Sequence, residues 1–332
     1  MPESKRKPYD PAPPAKRLGR RGDDARTRRD FLRAAGAVAT LHAASGFAAA
    51  PAEPVAQRRA FKVGYQIYSF SRNFPSAWWN GAAAVASVGF KGIEGEYTIA
   101  ELYEGRESEF EDGMRRIGVR LAALYSSADL ENPRLHYENV RKNLLAAAFC
   151  KRMGARTLVI GGMEAKRRDD ELYTAYAKTA NEIGRRALET YGVRFAVHPH
   201  VGSLVEGRQD IARVMDRTDP RYFFLAPDTG HLAGAGCDPV EVFEAYKDRI
   251  VHAHLKDWAP PVPPATRGSF VVLGKGNVDF PALLKILSTT FFDGWLDVEL
   301  DGGRGTEPTQ VARDAKEYLI SRLGIDPSKA GA

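Results

Sequence analysis

Cysteine is scarce in this sequence. The 332 residues include only Cys150 and Cys237, and Cys150 falls within an apolar helical pattern, LLAAAFCKRMG, where we expect it to pack against other side chains. A fold held together by a disulfide framework is therefore excluded. The composition, 44% hydrophobic and 27% charged, is typical of a soluble globular protein with enough chain for one large domain or two ordinary ones.

A basic surface is lacking as well, although the net charge is +6. Residues 1–59 carry 13 basic and 6 acidic side chains, which leaves 35 basic and 36 acidic side chains in the remainder. The excess of positive charge thus belongs to the leader, and the body of the chain is close to neutral. No nucleic-acid partner is expected for such a body.

The leader contains residues 27–52, TRRDFLRAAGAVATLHAASGFAAAPA. Arg28 and Arg29 precede a weakly apolar, alanine-rich run that ends in small residues suited to a signal peptidase, with cleavage after Ala52 favoured over Ala50. This order of features resembles a twin-arginine export signal. It predicts the twin-arginine machinery as a partner and a periplasmic or secreted location. The alternative is a disordered basic tail with an alanine-rich helix.

The apolar run of the leader is a poor membrane anchor because His42 and Gly46 interrupt it. After cleavage we expect peripheral membrane contact or none. These features divide the chain into a signal peptide and leader (1–52), a linker (53–60), a folded domain (61–325) and a C-terminal tail (326–332).

Short apolar runs alternate with helical patterns from residue 61 onwards. Helical patterns such as 138–154 and 171–192 end at Gly154 and Gly192, a residue type that closes many helices in a left-handed conformation. The apolar runs are continuous, which is typical of strands buried on both faces of a parallel sheet. There are eight of them: 62–70, 91–96, 119–127, 156–162, 193–200, 221–228, 249–257 and 294–301.

Eight such units in about 260 residues predict an α/β fold, a single (β/α)8 TIM barrel. A doubly wound open sheet is the alternative. It is weakened because no glycine-rich dinucleotide motif follows the first predicted strand.

One predicted connection is unusually long. The segment WAPPVPPATRGSF (258–270) follows the seventh predicted strand and contains four prolines, whereas connections between strand and helix are usually shorter. In a barrel it lies on the face that carries the active site, so it is either a lid or wall of that site or a surface excursion. The ring of Trp258 could stack on the apolar face of a sugar.

Side chains that can bind a metal ion end the last four predicted strands. Neighbouring parallel strands lie about 5 Å apart, so their C-terminal ends can converge on one ion. Imidazole together with carboxylate suits Mn, Co or Zn, and Mg less well. His252 lies two residues deeper than His254 and is a candidate for a packed or supporting histidine. The predicted ligands are Asp228, His254 and Glu299, joined by either His198 or His200.

Four motifs follow one another in the second half of the chain: DTGH (228–231), HAHLKD (252–257), LGKGNVDF (273–280) and GWLDVE (294–299). In this order they resemble the xylose-isomerase-like TIM barrels, known as sugar phosphate isomerases/epimerases, over residues 61–320. The resemblance implies one divalent metal ion bound by residues of strands five to eight, here His198, Asp228, His254 and Glu299. It also implies that His231 and Lys256 contact the substrate.

The fifth strand departs from the pattern of many epimerases in this family, which have a glutamate where this chain has His198. A histidine-rich fifth strand is more similar to the inosose dehydratase branch. This departure weakens the case for a symmetric epimerisation between two glutamates.

The activity that the resemblance implies is a metal-dependent isomerisation or epimerisation of a keto-sugar or keto-cyclitol through an enediolate that the ion stabilises. Glu299 would remove the proton, and Glu299 or His231 would return it. The alternative is β-elimination by an inosose dehydratase-like enzyme or a keto-glycoside lyase, in which His200 protonates the departing hydroxyl.

Two further alternatives belong to other functional classes. One is a non-catalytic periplasmic barrel that binds a sugar, and the other is a DNA-repair phosphodiesterase of the endonuclease IV type, which a near-neutral body disfavours. Glu94, at the end of the second predicted strand, and Trp258 are additional candidates for contact with the carbohydrate or cyclitol substrate. The sequence leaves a homo-oligomer open.

Overall fold

The structure, a computed structural model, describes residues 60–70, 76–301 and 307–329. The predicted export signal and its cleavage site lie outside the described residues. The strands are β1 (Lys62–Gln66), β2 (Gly92–Glu96), β3 (Arg120–Ser127), β4 (Thr157–Gly161), β5 (Arg194–His198), β6 (Phe223–Leu225), β7 (Ala253–Leu255), β8 (Asp257–Ala259), β9 (Ser269–Val271) and β10 (Trp295–Val298).

Eight of these strands form one parallel sheet in the order β6-β5-β4-β3-β2-β1-β10-β7. The two ends of this sheet meet through isolated parallel bridges, one between Leu225 and Ile250 and one between Asp228 and His254. The sheet therefore closes into a barrel, and the predicted (β/α)8 TIM barrel is confirmed. Each of its eight strands lies within one of the eight predicted segments.

The helices are α1 (Ser76–Val88), α2 (Thr98–Leu102), α3 (Glu107–Ile117), α4 (His136–Arg152), α5 (Asp170–Arg186), α6 (Arg208–Arg217), α7 (Thr229–Gly234), α8 (Pro239–Tyr246), α9 (Phe280–Ser288) and α10 (Pro308–Tyr318). The predicted helix ends at Gly154 and Gly192 are confirmed, and both glycines have left-handed φ angles, +77° and +68°. Such angles strain any residue with a Cβ, which is why glycine occupies both positions. Among the described residues, none of the helices is both long and apolar enough to cross a bilayer.

Small side chains form a floor inside the barrel. They are Ala123, Val159, Ala196, Ala226 and Val251, and all are buried. Side chains two residues apart on a strand point to the same face. The residues two positions after Ala123, Ala196 and Ala226 therefore also face the interior. This periodicity directs Tyr125, His198 and Asp228 into the space above the floor, at the C-terminal ends of the strands.

The long segment after β7 folds into a hairpin. β8 and β9 pair antiparallel, with Trp258 opposite Phe270. The centroids of these two rings are 5.2 Å apart. Asp257, which begins β8, accepts backbone hydrogen bonds from Trp258, Gly274, Gly276 and Val278. One buried carboxylate thus fixes both the start of the hairpin and the segment that follows it.

Candidate active site

The candidate site lies at the C-terminal ends of the barrel strands. β5 ends at His198, and the bridge between Asp228 and His254 joins the ends of β6 and β7. His254 also pairs with Asp297 of β10, and Glu299 follows the last residue of that strand. A cavity of about 1370 Å³ opens above these residues, and its walls include Tyr125, His198, His231, Trp258, Glu299 and Asp301.

Three buried residues at the bottom of this cavity have the spacing of metal ligands. One ligand atom from each of His198, Asp228 and His254 lies within 4.8 Å of the others. Nδ1 of His254 is 3.8 Å from Oδ2 of Asp228 and 2.6 Å from Oε2 of Glu299. The structure therefore brings together the four residues that the family resemblance implies as ligands. Of the two histidines of the fifth strand, His198 belongs to this group.

The atoms of this group fit a divalent ion. Nδ1 of His198 and Oδ2 of Asp228 are buried and have no hydrogen-bond partner among the described residues, although the Asp228 oxygen is ion-paired with Lys256. Burial and the neighbouring His254 hold the pKa of His198 well below its usual value, so its ring is neutral and able to ligate. A buried nitrogen lone pair without a donor is costly unless a cation or a ligand occupies the space before it.

Lys256 holds the carboxylates of the site together. Its Nζ lies 2.9 Å from Asp228, 3.3 Å from Glu299 and 2.7 Å from Asp301. Burial disfavours the charged ammonium, but these three carboxylates outweigh burial and raise the pKa of Lys256. The glycine of the DTGH motif makes room for this side chain, because a Cβ on Gly230 would stand 2.7 Å from the Lys256 stem.

His254 is held between two carboxylates. Its Nδ1 faces Glu299, and its Nε2 lies 2.9 Å from Oε2 of Glu94. Burial would lower the pKa of His254, but the charges of Glu94 and Glu299 outweigh burial and raise it well above its usual value. Both nitrogens of this ring therefore face an anionic group.

His200 and His231 form a close pair on the cavity wall, with ring centroids 3.8 Å apart and ring planes inclined by 37°. Nδ1 of His231 accepts a hydrogen bond from the Val201 amide, and its Nε2 lies 3.3 Å from Asp301. Nδ1 of His200 lies 2.8 Å from the Val201 carbonyl oxygen. Burial and the nearby His231 lower the pKa of His200 to about 4, so this ring is neutral near pH 7.

The same pair also has metal-ligand spacing, together with Asp301. The ammonium of Lys256, 2.7 Å from the Asp301 carboxylate, already supplies the positive charge at that place. The same ammonium also contacts Asp228 and Glu299, so its charge does not distinguish this group from the group around His254.

The hairpin forms one wall of the cavity. The ring of Phe270 packs edge-on against His231 at 4.9 Å, and Nζ of Lys256 lies 5.1 Å from its centroid. Trp258, which packs on Phe270, also lines the cavity. Of the two roles predicted for segment 258–270, the structure supports the wall of the site.

Glu94 does not reach this cavity. It is completely buried beneath the candidate ligands, where Gln66, His252 and His254 contact it. The predicted contact between Glu94 and a substrate hydroxyl does not fit this position, because two residues along β2 the chain rises to the cavity and Glu96 lines it instead. His252, two residues deeper than His254, lies in the same buried layer as Glu94.

The sequence reasoning also missed functional candidates. Tyr125 lines the cavity, and its ring packs edge-on against His198 at 5.3 Å. Burial and the nearby Glu299 raise the pKa of Tyr125 well above its usual value, so the phenol stays protonated and can donate a hydrogen bond. Its position two residues after Ala123 on β3 was the available signal, since strand periodicity directs both side chains inwards.

Comparison with known proteins agrees with this architecture. The family model described as a xylose isomerase-like TIM barrel matches residues 82–322. An inosose dehydratase from Clostridium botulinum (strain Alaska E43 / Type E3) is 28% identical over 269 residues, which cover 73% of this chain and 88% of the relative.

Solved structures of other proteins share the fold. The IOLI protein with a bound zinc atom has a TM-score of 0.64 at 16% identity and covers 78% of this chain and 97% of its own. A xylose isomerase-like TIM barrel protein from Mycobacterium smegmatis in complex with magnesium has a TM-score of 0.65 at 17% identity and covers 82% of this chain and 98% of its own. The match of the family model over most of the barrel confirms the resemblance that the four motifs indicate: the chain belongs to the xylose isomerase-like TIM barrel family.

Proposed function

We propose that this protein is a metal-dependent lyase of the dehydratase type. It would remove a proton next to the carbonyl of a keto-cyclitol or keto-sugar and then release a β-hydroxyl as water. The observation that carries this proposal is the convergence of His198, Asp228 and His254 beside Glu299 at the bottom of a polar-walled cavity. The 28% identity with an inosose dehydratase supports the choice of reaction.

His198, Asp228, His254 and Glu299 are the proposed ligands of one divalent ion. When bound, the ion would supply Lewis-acid stabilisation of the negative charge that develops on a carbonyl oxygen. Ligands of this kind suit Mn, Co or Zn, and Mg less well.

Glu299 is the proposed base. Its Oε2 contacts His254, its Oε1 lies 3.3 Å from Lys256, and its carboxylate lines the cavity. Two contacts hold the carboxylate in one orientation, so a substrate carbon bound in the cavity meets a base that needs no reorganisation. The C–H bond breaks towards Glu299, and its electron pair moves onto the carbonyl of the substrate.

His231 is the better-supported donor for the departing hydroxyl. Its Nδ1 accepts from the Val201 amide, so its proton is carried on Nε2 at the cavity wall, beside Asp301. Nδ1 of His200, by contrast, is engaged with the carbonyl oxygen of Val201. The β C–O bond breaks as the electron pair of the enolate forms the new double bond, and the proton from His231 completes the water molecule.

Isomerisation or epimerisation of the same substrate class is the second candidate. It shares the first step, because proton removal by Glu299 yields the same enolate. Its support is the presence of both Glu299 and His231 on the cavity wall, either of which could return a proton to carbon. Export by the twin-arginine route is proposed alongside both activities, from residues 27–52 alone.

The test is incubation of the full chain, loaded with Mn²⁺, with an inosose and with a keto-sugar in D₂O. We expect deuterium incorporation next to the carbonyl and loss of the β-hydroxyl as water. NMR spectra of the substrate and product measure both. Glu299→Gln should slow both by about 100-fold or more, whereas the exposed Glu104→Gln serves as the matched control and should leave them unchanged. Deuterium exchange without water release would assign the isomerase or epimerase reaction. An ion-loaded chain that neither exchanges a proton nor releases water with either substrate would overturn the proposed function.

A further inference from the structure

A cluster of polar side chains fills the barrel directly beneath the proposed ion site. This buried polar cluster consists of Gln66, Glu94, His252 and Asp297, and its members are 0–3% exposed. Barrel interiors are ordinarily filled with branched apolar side chains, and a buried charge is costly unless it is hydrogen-bonded. The proposed chemistry uses none of these four residues, so their burial requires another explanation.

Glu94 is the centre of the cluster. Its Oε1 accepts a hydrogen bond from Nε2 of Gln66 at 2.9 Å. Its Oε2 lies 2.8 Å from Nε2 of His252 and 2.9 Å from Nε2 of His254. Both oxygens of this completely buried carboxylate therefore contact side chains of other strands, and one of those side chains is a proposed metal ligand.

One ligand atom from each of Glu94, His252 and His254 also lies within 4.8 Å of the others, so the spacing alone would allow a second ion in this layer. Ligand bonds of 2.0–2.2 Å in a tetrahedral arrangement place neighbouring ligand atoms about 3.3–3.6 Å apart. The contacts of Glu94 with the two imidazoles, and the 2.9 Å contact of His252 with Asp297, are shorter and have the length of hydrogen bonds. The contact of His254 with Glu299 in the proposed ion site is shorter still, at 2.6 Å, so contact length does not separate the two groups. In the structure Glu94 is hydrogen-bonded to both rings, whereas the Asp297 carboxylate has no hydrogen-bond partner among the described residues.

We propose that Glu94 is a positioning residue for the metal ligand His254. By accepting a hydrogen bond from the Nε2–H group, Glu94 fixes the orientation and the tautomer of the ring, which leaves Nδ1 as the nitrogen that faces Asp228 and Glu299. The inference rests on the proposed binding of an ion by His254. Carboxylates in this position also increase the basicity of the imidazole, and their removal from other metal sites weakens affinity by about 10–100-fold.

The other members of the cluster support Glu94 in this role. Gln66 donates a hydrogen bond to Oε1 of Glu94. His252 and His254 both contact Oε2. The Asp297 carboxylate lies 2.9 Å from Nε2 of His252 and also interacts with Glu94, whereas Asp297 is related to His254 by strand pairing of the backbone. Asp297→Asn therefore disturbs the same buried layer without removing the acceptor of His254, and it is the matched control for Glu94→Gln.

The experiment measures the affinity of the metal-free full chain for Mn²⁺ and Co²⁺ by calorimetric titration, together with the stoichiometry and the unfolding temperature of each variant. We expect one ion per chain in the parent, an affinity about 10–100-fold weaker in Glu94→Gln with a shifted Co²⁺ absorption spectrum, and an affinity within about threefold of the parent in Asp297→Asn. Folded Glu94→Gln that binds Mn²⁺ as tightly as the parent would overturn the proposal. So would equal weakening in both variants, or a second ion in the parent that Asp297→Asn removes.

A measurement on the parent alone covers the case in which Glu94→Gln does not fold. Long-range ¹H–¹⁵N correlation of the Zn²⁺-loaded chain should find the His254 proton on Nε2, and a proton on Nδ1 would contradict the proposal. The two proposals fail separately. Weaker Mn²⁺ binding by Glu94→Gln, together with a parent that acts on no ketone, would overturn the lyase and retain the positioning role. An active parent, together with Glu94→Gln that binds Mn²⁺ as tightly, would overturn the positioning role and retain the lyase.

Discussion

Gly161 leaves the space that the hydroxyl of Tyr125 occupies: a Cβ built on Gly161 would stand 1.7 Å from the phenolic oxygen. The two residues belong to neighbouring strands, and both follow floor residues of the barrel interior. The ring of Tyr125 in turn packs against His198. The absence of a side chain at one strand end thus fixes the aromatic neighbour of a proposed metal ligand.

Gly161→Ala should therefore disturb the site without preventing folding, because the backbone at this position is that of an ordinary strand. We expect a loss of about 1–3 kcal/mol in the free energy of unfolding, which is typical of overpacking, together with weaker Mn²⁺ binding as Tyr125 shifts against His198. Urea unfolding and calorimetric titration measure the two effects. In a Tyr125→Leu background the same substitution should cost at least about 0.5 kcal/mol less. Equal costs in both backgrounds would contradict the clash.

Lys256 is expected to be essential to the metal-free fold. Lys256→Met would leave Asp228, Glu299 and Asp301 without their shared cation, and the loss of one partner from a buried ion pair costs about 3–5 kcal/mol. Urea unfolding in EDTA measures this loss, and added Mn²⁺ should restore part of it. The exposed Lys275→Met is the control and should stay within about 0.5 kcal/mol of the parent. A loss below about 1 kcal/mol for Lys256→Met would show that the carboxylates do not depend on this ammonium.

The barrel could be predicted because its strands and helices differ in local pattern. Continuous apolar runs and helix-ending glycines are properties of short segments, and all eight predicted strands are present. The observed β6 and β7 are shorter than the predicted segments 221–228 and 249–257. In both segments regular strand pairing ends before the polar residues at the C-terminal end, such as Asp228 and Lys256. No local sequence pattern indicates where the pairing ends.

The depth of side chains within the barrel could not be predicted in the same way. Strand periodicity directs both Glu94 and Glu96 inwards, but it does not tell which of them reaches the cavity, since that depends on the stagger of neighbouring strands. Asp297 illustrates the same limit. Its burial depends on its pairing with Gly64 across β1 and β10, where a Cβ on the glycine would stand 2.0 Å from the carboxylate.

Asp257 and Asp279 offer a matched comparison of two aspartates. The Asp257 carboxylate accepts four backbone N–H bonds with both oxygens, whereas Asp279 caps α9 through one bond to the Ala282 amide. Asp257→Asn replaces one acceptor oxygen by a donor and should cost about 1–3 kcal/mol, with faster hydrogen exchange at Gly274 and Gly276. Asp279→Asn should be close to neutral because asparagine caps helices equally well. Similar losses in the two variants, measured by urea unfolding, would refute this distinction.

Glu131 should give the fold a dependence on pH that is separate from the active site. Its side chain is buried, and one of its oxygens has no hydrogen-bond partner among the described residues. Burial, with a contribution from Asp129, raises the pKa of Glu131 to about 7 from 4.5. The folded chain therefore binds more protons than the unfolded chain between these values. The stabilising contribution of this group is fully present below about pH 4.5 and is lost as the pH rises to about 7, with a slope of at most about 1.4 kcal/mol per pH unit.

Glu131→Gln removes this titration, so the free energy of unfolding should fall less steeply between pH 5 and pH 8 than in the parent. Urea unfolding of both proteins in EDTA at several pH values measures the difference without a contribution from metal release. The exposed Glu104→Gln is the control and should retain the slope of the parent. If the free energy of unfolding of Glu131→Gln fell by the same amount as that of the parent between pH 5 and pH 8, Glu131 would not be the group responsible for the pH dependence.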